Sequence, residues 1–431
     1  MTNGFYKNRR LKSFLFFAVC FLLSVLPHIF YFKNFLYITY AISFFIACYG
    51  LTVISTNIKR RGISTDNNKI INYQLPALDI LVAARDEENV IERLVERLFN
   101  LDYPTNKLNI YIIDDGSTDK TPLILERLSQ EFDKLKIITR SSDAGGGKSG
   151  ALNYALKFTS GEWILILDAD AQLKKDTLLR LFNFVNEGSW SAVQLRKSVI
   201  NITKNFLTTC QSMEMAMDAI FQYGRLSVAG VSELRGNGQL INKEVLIRCG
   251  SFNEDTVTDD LDLSLRLLFS KAKIGILWDP PVMEEAVENI SALFSQRQRW
   301  AEGGLQRFVD YGEHLISKKI NFIQKFDLTY FFILQYALPI ISLIDFILSI
   351  ALFESPSYWP ISITAFALSG IAVWYGSSCK SEVSVVPNLN LMMLVFLLYL
   401  SHWFLVIPWV TIKMSIFPKK ILWKKTLHTG V

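Results

Sequence analysis

Two stretches near the start of the chain, 13–32 and 35–56, contain no Asp, Glu, Lys or Arg and are separated only by Lys33 and Asn34. Each offers the ~20 apolar helical residues that cross a hydrocarbon layer, so the pattern predicts an N-terminal membrane hairpin. Three further apolar runs lie at 328–353, 359–378 and 389–412, interrupted by Pro339, Asp345 and Pro408. Between these ends the period changes. Leu78 to Ala84 is apolar except for Asp79, as expected of a strand buried on both faces, and Val90, Ile91, Leu94, Val95 and Leu98 are spaced as on one face of a helix. Strands at 109–113, 135–139 and 163–167 then alternate with helices near 119–132 and 148–159. That alternation predicts an α/β domain with a doubly wound sheet of nucleotide-binding type, flanked by transmembrane α-helices. Residues 291–325 read as amphipathic helix leading back to the bilayer.

Composition agrees with a water-exposed domain joined to membrane segments: of 431 residues, 50% are apolar and 20% charged. Lys7, Arg9, Arg10 and Lys12 precede the first apolar run. A cleaved signal peptide would also have a basic start, but this run is longer than a typical signal core and a second span follows at once, so an uncleaved anchor is expected. Lys59, Arg60 and Arg61 on one side of the middle domain and Lys318, Lys319 and Lys325 on the other place it in the cytoplasm. Lys419, Lys420, Lys424 and Lys425 make the tail cytoplasmic as well, whereas three spans after a cytoplasmic domain would leave it outside. One of the last three runs is therefore expected to be interfacial or re-entrant, with the Pro339 region as the candidate.

The expected domains are thus a hairpin at 1–57, a cytoplasmic domain at 58–325 ending in interfacial helices, a transmembrane region at 326–413 and a basic tail at 414–431. The net charge of +5 is clustered beside membrane segments, which suits a lipid surface; no basic and aromatic stripe points to nucleic acid. Cys20, Cys48, Cys210, Cys249 and Cys379 are scattered without zinc spacing and read as free thiols.

Ile112-Ile113-Asp114-Asp115-Gly116 ends a strand with carboxylates at the sheet edge where ligands bind, and a nucleoside offers donors to such acceptors. Gly145-Gly146-Gly147-Lys148-Ser149-Gly150 fails as a phosphate loop of the ATPase kind, because Ser142 stands where its first glycine belongs. What remains is a glycine turn opening a helix, with Lys148 free to meet a diphosphate. Asp168-Ala169-Asp170 puts two carboxylates at the mouth of a strand, an arrangement that favours a hard divalent cation, Mg²⁺ or Mn²⁺. Gly236-Asn237-Gly238, Val257-Thr258-Asp259-Asp260-Leu261-Asp262 and Gln296-Arg297-Gln298-Arg299-Trp300 follow. Arg297 and Arg299 stand two apart on a helix and point to different faces, so one of them is expected to meet the diphosphate.

In this order the motifs resemble the membrane-embedded family 2 glycosyltransferases, relatives of cellulose, chitin and hyaluronan synthases. The resemblance implies a GT-A type sheet. By it, Arg85 and Glu87 with Asp114 and Asp115 grip the uridine, Asp86 standing where the family more often has Asn. Lys148 meets the diphosphate, Asp168 and Asp170 hold the metal, and Asp168 also faces the donor. Asp260 becomes the general base removing the acceptor hydroxyl proton, with Asp259 replacing the usual Glu. Gln296, Arg299 and Trp300 match the Gln-x-x-Arg-Trp pattern, Arg299 assisting departure of UDP and Trp300 walling the acceptor. Region 188–290 is then expected to hold the acceptor side.

Glu233-Leu234-Arg235-Gly236-Asn237-Gly238-Gln239, Thr258 to Leu263, Gln298 to Gly304 and the terminal Trp423 to His428 look like the β-monoglucosyldiacylglycerol synthases of photosynthetic bacteria. That resemblance implies transfer of glucose from UDP-glucose to diacylglycerol, with inversion. A processive polysaccharide synthase is the alternative. A non-catalytic membrane scaffold is a third, against which Asp168, Asp170, Asp260 and Arg299 all argue.

Overall fold

The computed structural model describes residues 9–30, 34–60, 74–378, 388–417 and 430. Lys7, Lys33, Arg61, Cys379, the basic residues Lys419, Lys420, Lys424 and Lys425, and Trp423 to His428 lie outside the described residues. The apolar hairpin is α1 (Arg9–Ile29) and α2 (Phe35–Arg60). Next come β1 (Leu78–Ala84), α3 (Ile91–Phe99), β2 (Leu108–Asp115), α4 (Thr121–Glu131), β3 (Leu135–Arg140), α5 (Gly147–Leu156) and β4 (Trp163–Leu167), the alternation that the apolar pattern predicts. The domain continues through α6 (Thr177–Gly188), β5 (Ala192–Val199), α7 (Phe206–Ala229), β6 (Gln239–Asn242), α8 (Lys243–Arg248), α9 (Asp259–Phe269) and β7 (Ile274–Glu284). A long α10 (Ile290–Ile316) leads to α11 (Phe322–Phe332), a π turn (Ile333–Ala337), α12 (Leu338–Leu352), α13 (Trp359–Ser378), α14 (Leu389–Leu400) and α15 (Trp403–Ile416).

The seven strands form one sheet in the order β3-β2-β1-β4-β6-β5-β7. The first four are parallel, β6 runs antiparallel to β4 and β5, and β7 is parallel to β5. The chain winds outward from β1 through β2 to β3, then crosses back to lay β4 on the other side of β1. That reversal opens a crevice at the carboxyl ends of β1 and β4, the place where a doubly wound sheet binds ligands. Strand β1 is buried along its whole length because helices cover both sheet faces: Leu78, Ile80 and Val82 pack on the α3 and α6 side, Leu81 and Ala83 on the α5 and α9 side. Its one polar residue, Asp79, is compensated by hydrogen bonds from the Ser160 and Gly161 amides at 2.7 and 2.6 Å and from the Asn109 side chain at 2.7 Å.

Among the described residues, five helical runs are long and apolar enough to cross a bilayer: Arg9–Ile29, Phe35–Asn57, Phe322–Leu352, Trp359–Ser378 and Leu389–Ile416. Pro339 makes no re-entrant turn. The π turn just before it absorbs the missing N–H and lets the helix continue from α11 into α12. This run joins two ends of the bundle: Asp327 pairs with Arg225 of the sheet domain, while Asp345 and Glu354 meet His28 at the far end of α1. The last run also touches the sheet domain. Near its middle, Tyr399 and Trp403 hydrogen-bond Glu214 of α7, and at its end the Ser415 carbonyl accepts from Arg10, whose neighbour Arg9 pairs with Asp310 of α10. Helix α7, not read from the sequence as membrane-facing, packs against α2 and α13 and forms the floor between domain and bundle.

Candidate active site

The loops after β1 and β2 are stitched together by side chains that the sequence had suggested as nucleoside ligands. Asp114 accepts from the Ser117 amide at 3.0 Å, closing the turn after β2. Asp115 is buried and pairs with Arg140 at 2.6 Å, and Arg140 in turn donates to the Gly145 carbonyl at 2.7 Å. Burial pushes the Asp115 carboxyl up from its usual range, with Arg140 and Arg85 opposing the shift. Asp86 adopts φ 55°, a conformation that Asp and Asn tolerate best among residues with side chains, and accepts from the Thr118 amide at 2.6 Å. Asp here does the work an Asn carbonyl would do. Of this group Glu87 lines the central cavity, and Arg85, Asp114 and Asp115 are not among its lining residues.

Gly145, Gly146 and Gly147 all have positive φ, which is why this turn is built of glycine, and it delivers Lys148 into the cavity at the start of α5. The Lys148 ammonium reaches the Asp168 carboxylate at 2.5 Å and the Gly236 carbonyl at 3.3 Å. Burial works against this ammonium, yet Asp168, Asp259 and Asp260 hold its pKa above the usual lysine value. Asn237, fully buried, explains the Gly-Asn-Gly motif: its side chain accepts from the Asp168 amide at 3.1 Å and donates to Glu284 at 3.2 Å, tying β4 to β7. Asp170 is fixed by the Glu285 amide at 2.8 Å.

Asp259 and Asp260 open α9. Asp260 lies against Gly236, where an added Cβ would stand 3.3 Å from its Oδ2. Its carboxyl is pushed up to about 6, first by burial and then by Asp259 beside it. Asp259 is also raised by burial, and its buried Oδ2 has no hydrogen-bond partner among the described residues. Helix α10 crosses immediately over this pair, with no room for a side chain at Gly303, where a Cβ would come within 2.1 Å of the Thr258 hydroxyl.

On α10 the two arginines separate as their spacing requires. Arg297 is 1% exposed, donates to Glu214 at 2.5 Å and to Tyr399 at 3.0 Å, and stacks 4.1 Å over Trp300. Arg299 faces the cavity, where Asp168, Asp260 and Asp259 all act on it and burial lowers its pKa. Gln296 accepts from Arg297 at 2.6 Å and Trp300 lies under Lys197, which pairs with Glu284 at 2.7 Å. The structure thus brings Lys148, Asp168, Asp170, Asp259, Asp260, Gln296, Arg299 and Trp300 to one cavity. Reasoning from sequence missed Arg140, Asn237, Glu214 and Lys197; only Asn237 carried a signal, its flanking glycines.

Among the described residues no group of three or more His, Cys, Asp or Glu is arranged to hold a metal ion. The two carboxylates of Asp168 and Asp170 nonetheless fit a hard divalent cation that takes its remaining ligands from a diphosphate and water, and the ammonium drawn onto Asp168 marks the place as one that attracts positive charge. Lys148 and Arg299 share that cavity with Asp168, Asp170, Asp259 and Asp260, and Arg235 also acts on Asp260.

The cavity measures about 1940 Å³, beyond the 300–1,000 Å³ usual for one small ligand. From the carboxylates it continues between the apolar helices, lined there by Phe331 and Leu334, by Phe366 and Leu368 of α13, and by Phe404 and Ile407 of α15.

A sheet switch point with an acidic mouth and a glycine turn that brings Lys148 to it fits a GT-A glycosyltransferase, and the chain belongs to glycosyl transferase family 2, whose model matches residues 79–249. Within that family it is 41% identical over 367 residues to the beta-monoglucosyldiacylglycerol synthase of Nostoc sp., covering 84% of this chain and 78% of that protein. It is 40% identical to the Synechocystis sp. enzyme of the same name, covering 82% and 75%. These matches bear out the resemblance carried by the motifs. A mannosyltransferase from Pyrobaculum calidifontis, solved with GDP-Man and Mn²⁺, shares the fold at a TM-score of 0.59 and 18% identity, covering 88% of this chain and 99% of that one.

Proposed function

We propose that this protein is a multi-pass membrane enzyme, its sheet domain on the cytoplasmic side, that transfers glucose from UDP-glucose to the free hydroxyl of 1,2-diacylglycerol and inverts the anomeric centre. The observation that carries the reading is the single cavity that begins at the carboxylates and ends between apolar helices, because one acceptor then presents a hydroxyl to the polar end and hydrocarbon to the other. The names of the cyanobacterial relatives support the same acceptor and sugar.

In this reading Glu87 lies at the nucleoside end, while Arg85, Asp114 and Asp115 act behind it by holding the loops that shape it. Lys148 leaves Asp168 for the diphosphate as the donor binds. A divalent cation held by Asp168 and Asp170 would supply positive charge to the departing UDP. Arg299 adds charge from the opposite wall, and Gln296 and Trp300 bound the sugar and acceptor. Asp260 accepts the proton from the acceptor hydroxyl as its oxygen attacks the anomeric carbon on the face away from UDP. Its raised pKa suits that task, since a stronger base than an ordinary carboxylate takes the proton more readily.

The test incubates detergent-purified protein with radiolabelled UDP-glucose, Mg²⁺ and dispersed diacylglycerol, and partitions the label between chloroform and water. Label in chloroform that vanishes without diacylglycerol is expected. Label confined to a high-molecular-weight aqueous or insoluble fraction would replace this reading with a polymer synthase.

A further inference from the structure

One polar side chain inside the bundle is used by nothing described so far. Gln335 stands in the π turn near the middle of the apolar run Phe322–Leu352, exposed to the cavity, and its amide makes no side-chain hydrogen bond to the described residues. An amide left open inside a membrane-spanning helix is costly unless something polar arrives there, and π turns inside α-helices recur at functional positions. Its place along the cavity is fixed by its neighbour. The Tyr336 hydroxyl presses on α10 so closely that a Cβ on Gly304 would stand 1.8 Å from it, one helical turn beyond Trp300. Gln335 therefore lies where the polar mouth gives way to hydrocarbon.

We propose that the Gln335 amide donates a hydrogen bond to an acyl ester carbonyl of the lipid acceptor and thereby selects diester glycerolipids over lipids without carbonyls. This rests on the lipid-acceptor reading above. When a glycerol hydroxyl sits at Asp260, the ester group on the next carbon enters the boundary zone, and its carbonyl loses water there. An unmatched buried carbonyl is penalised, so a donor is required. Three other donors along the cavity wall are committed: Ser369 to the Ala365 carbonyl at 2.9 Å, Tyr330 to the Ile46 carbonyl at 2.8 Å, and the Trp403 indole to Glu214 at 3.1 Å. Of these four, Gln335 alone has its donor open.

The experiment compares initial rates on a diacylglycerol and on the dialkyl ether of the same chain length, for the wild-type enzyme, Gln335→Met and Gln335→Leu in detergent. The wild type is expected to prefer the diester by about tenfold in kcat/KM, the value of one good hydrogen bond, and both variants to bring that ratio close to one. A ratio is insensitive to the fraction of enzyme that folds, and the Met variant keeps the length of the side chain. A wild-type enzyme indifferent to the ester, or variants that keep its preference, would overturn the role of Gln335 while leaving the lipid reading in place. A wild-type enzyme that makes no chloroform-soluble product from either acceptor would overturn both.

Discussion

Two clusters of arginines and carboxylates meet at Arg235, and they behave in opposite ways. Beneath the site, Arg225, Arg235 and Arg307 face Asp218, Glu233 and Asp327, a balanced set linking α7, α10 and α11. Glu233 takes charge from all three guanidinium groups, which hold its carboxyl well below the usual range although burial works against it. At the mouth burial prevails and the Asp260 carboxyl rises, Asp259 adding to the shift while Arg235 and Lys148 oppose it. The residue types are the same. The balance differs: beneath the site the guanidinium groups outweigh burial and the cluster stays ionised at the joint between domain and bundle, whereas at the mouth burial outweighs the cations and leaves Asp260 readier to take up a proton.

Removing the proton acceptor should open the widest gap between the clusters. Asp260→Asn is expected to lower kcat by about 10²–10⁴-fold, the range for a lost general base, while binding of UDP stays near normal by calorimetry. Near-normal turnover would show that the base lies elsewhere. The second change strikes the balanced cluster: Glu233→Gln leaves Arg225 and Arg307 short of a partner and should cost about 3–5 kcal/mol of stability. Thermal unfolding in detergent reads that loss, and an unchanged melting temperature would refute the idea that this cluster holds the joint. The smallest expected effect is in pH. The base works only when ionised, and because its pKa is raised to about 6 the rate should climb with pH through that value and level off above it. Below it the rate should fall by about tenfold per unit. The residual rate of Asp260→Asn should not show this limb. Since Asp259 titrates beside Asp260, the midpoint belongs to the pair.

Much of this was legible along the chain, for reasons that differ from one residue to the next. Trp163 to Leu167 could be read as a strand because five apolar residues in a row between turn signals admit few other conformations in an alternating domain. Arg297 and Arg299 could be assigned to different helix faces by spacing alone, but that Arg297 is the one claimed by Glu214 and Tyr399 depended on residues far away in sequence. Asp114 and Asp115 were legible as strand-end carboxylates; that Ser117 and Arg140 would claim them was not. The charge parity of the apolar runs called for one segment that does not cross; at Pro339, the place expected for it, a π turn lets the helix continue without turning the chain.

By itself, the sequence determined the apolar hairpin, the β-α alternation and the order of the acidic motifs, because side-chain periodicity is a local property of backbone geometry and burial. Only the tertiary structure decided which charges are compensated, which arginine pairs with Glu214, that the helix runs on through Pro339 and that Gln335 opens into the cavity. Those outcomes depend on distances between groups hundreds of residues apart, and a buried charge or amide takes its energy from whatever stands within hydrogen-bond reach of it.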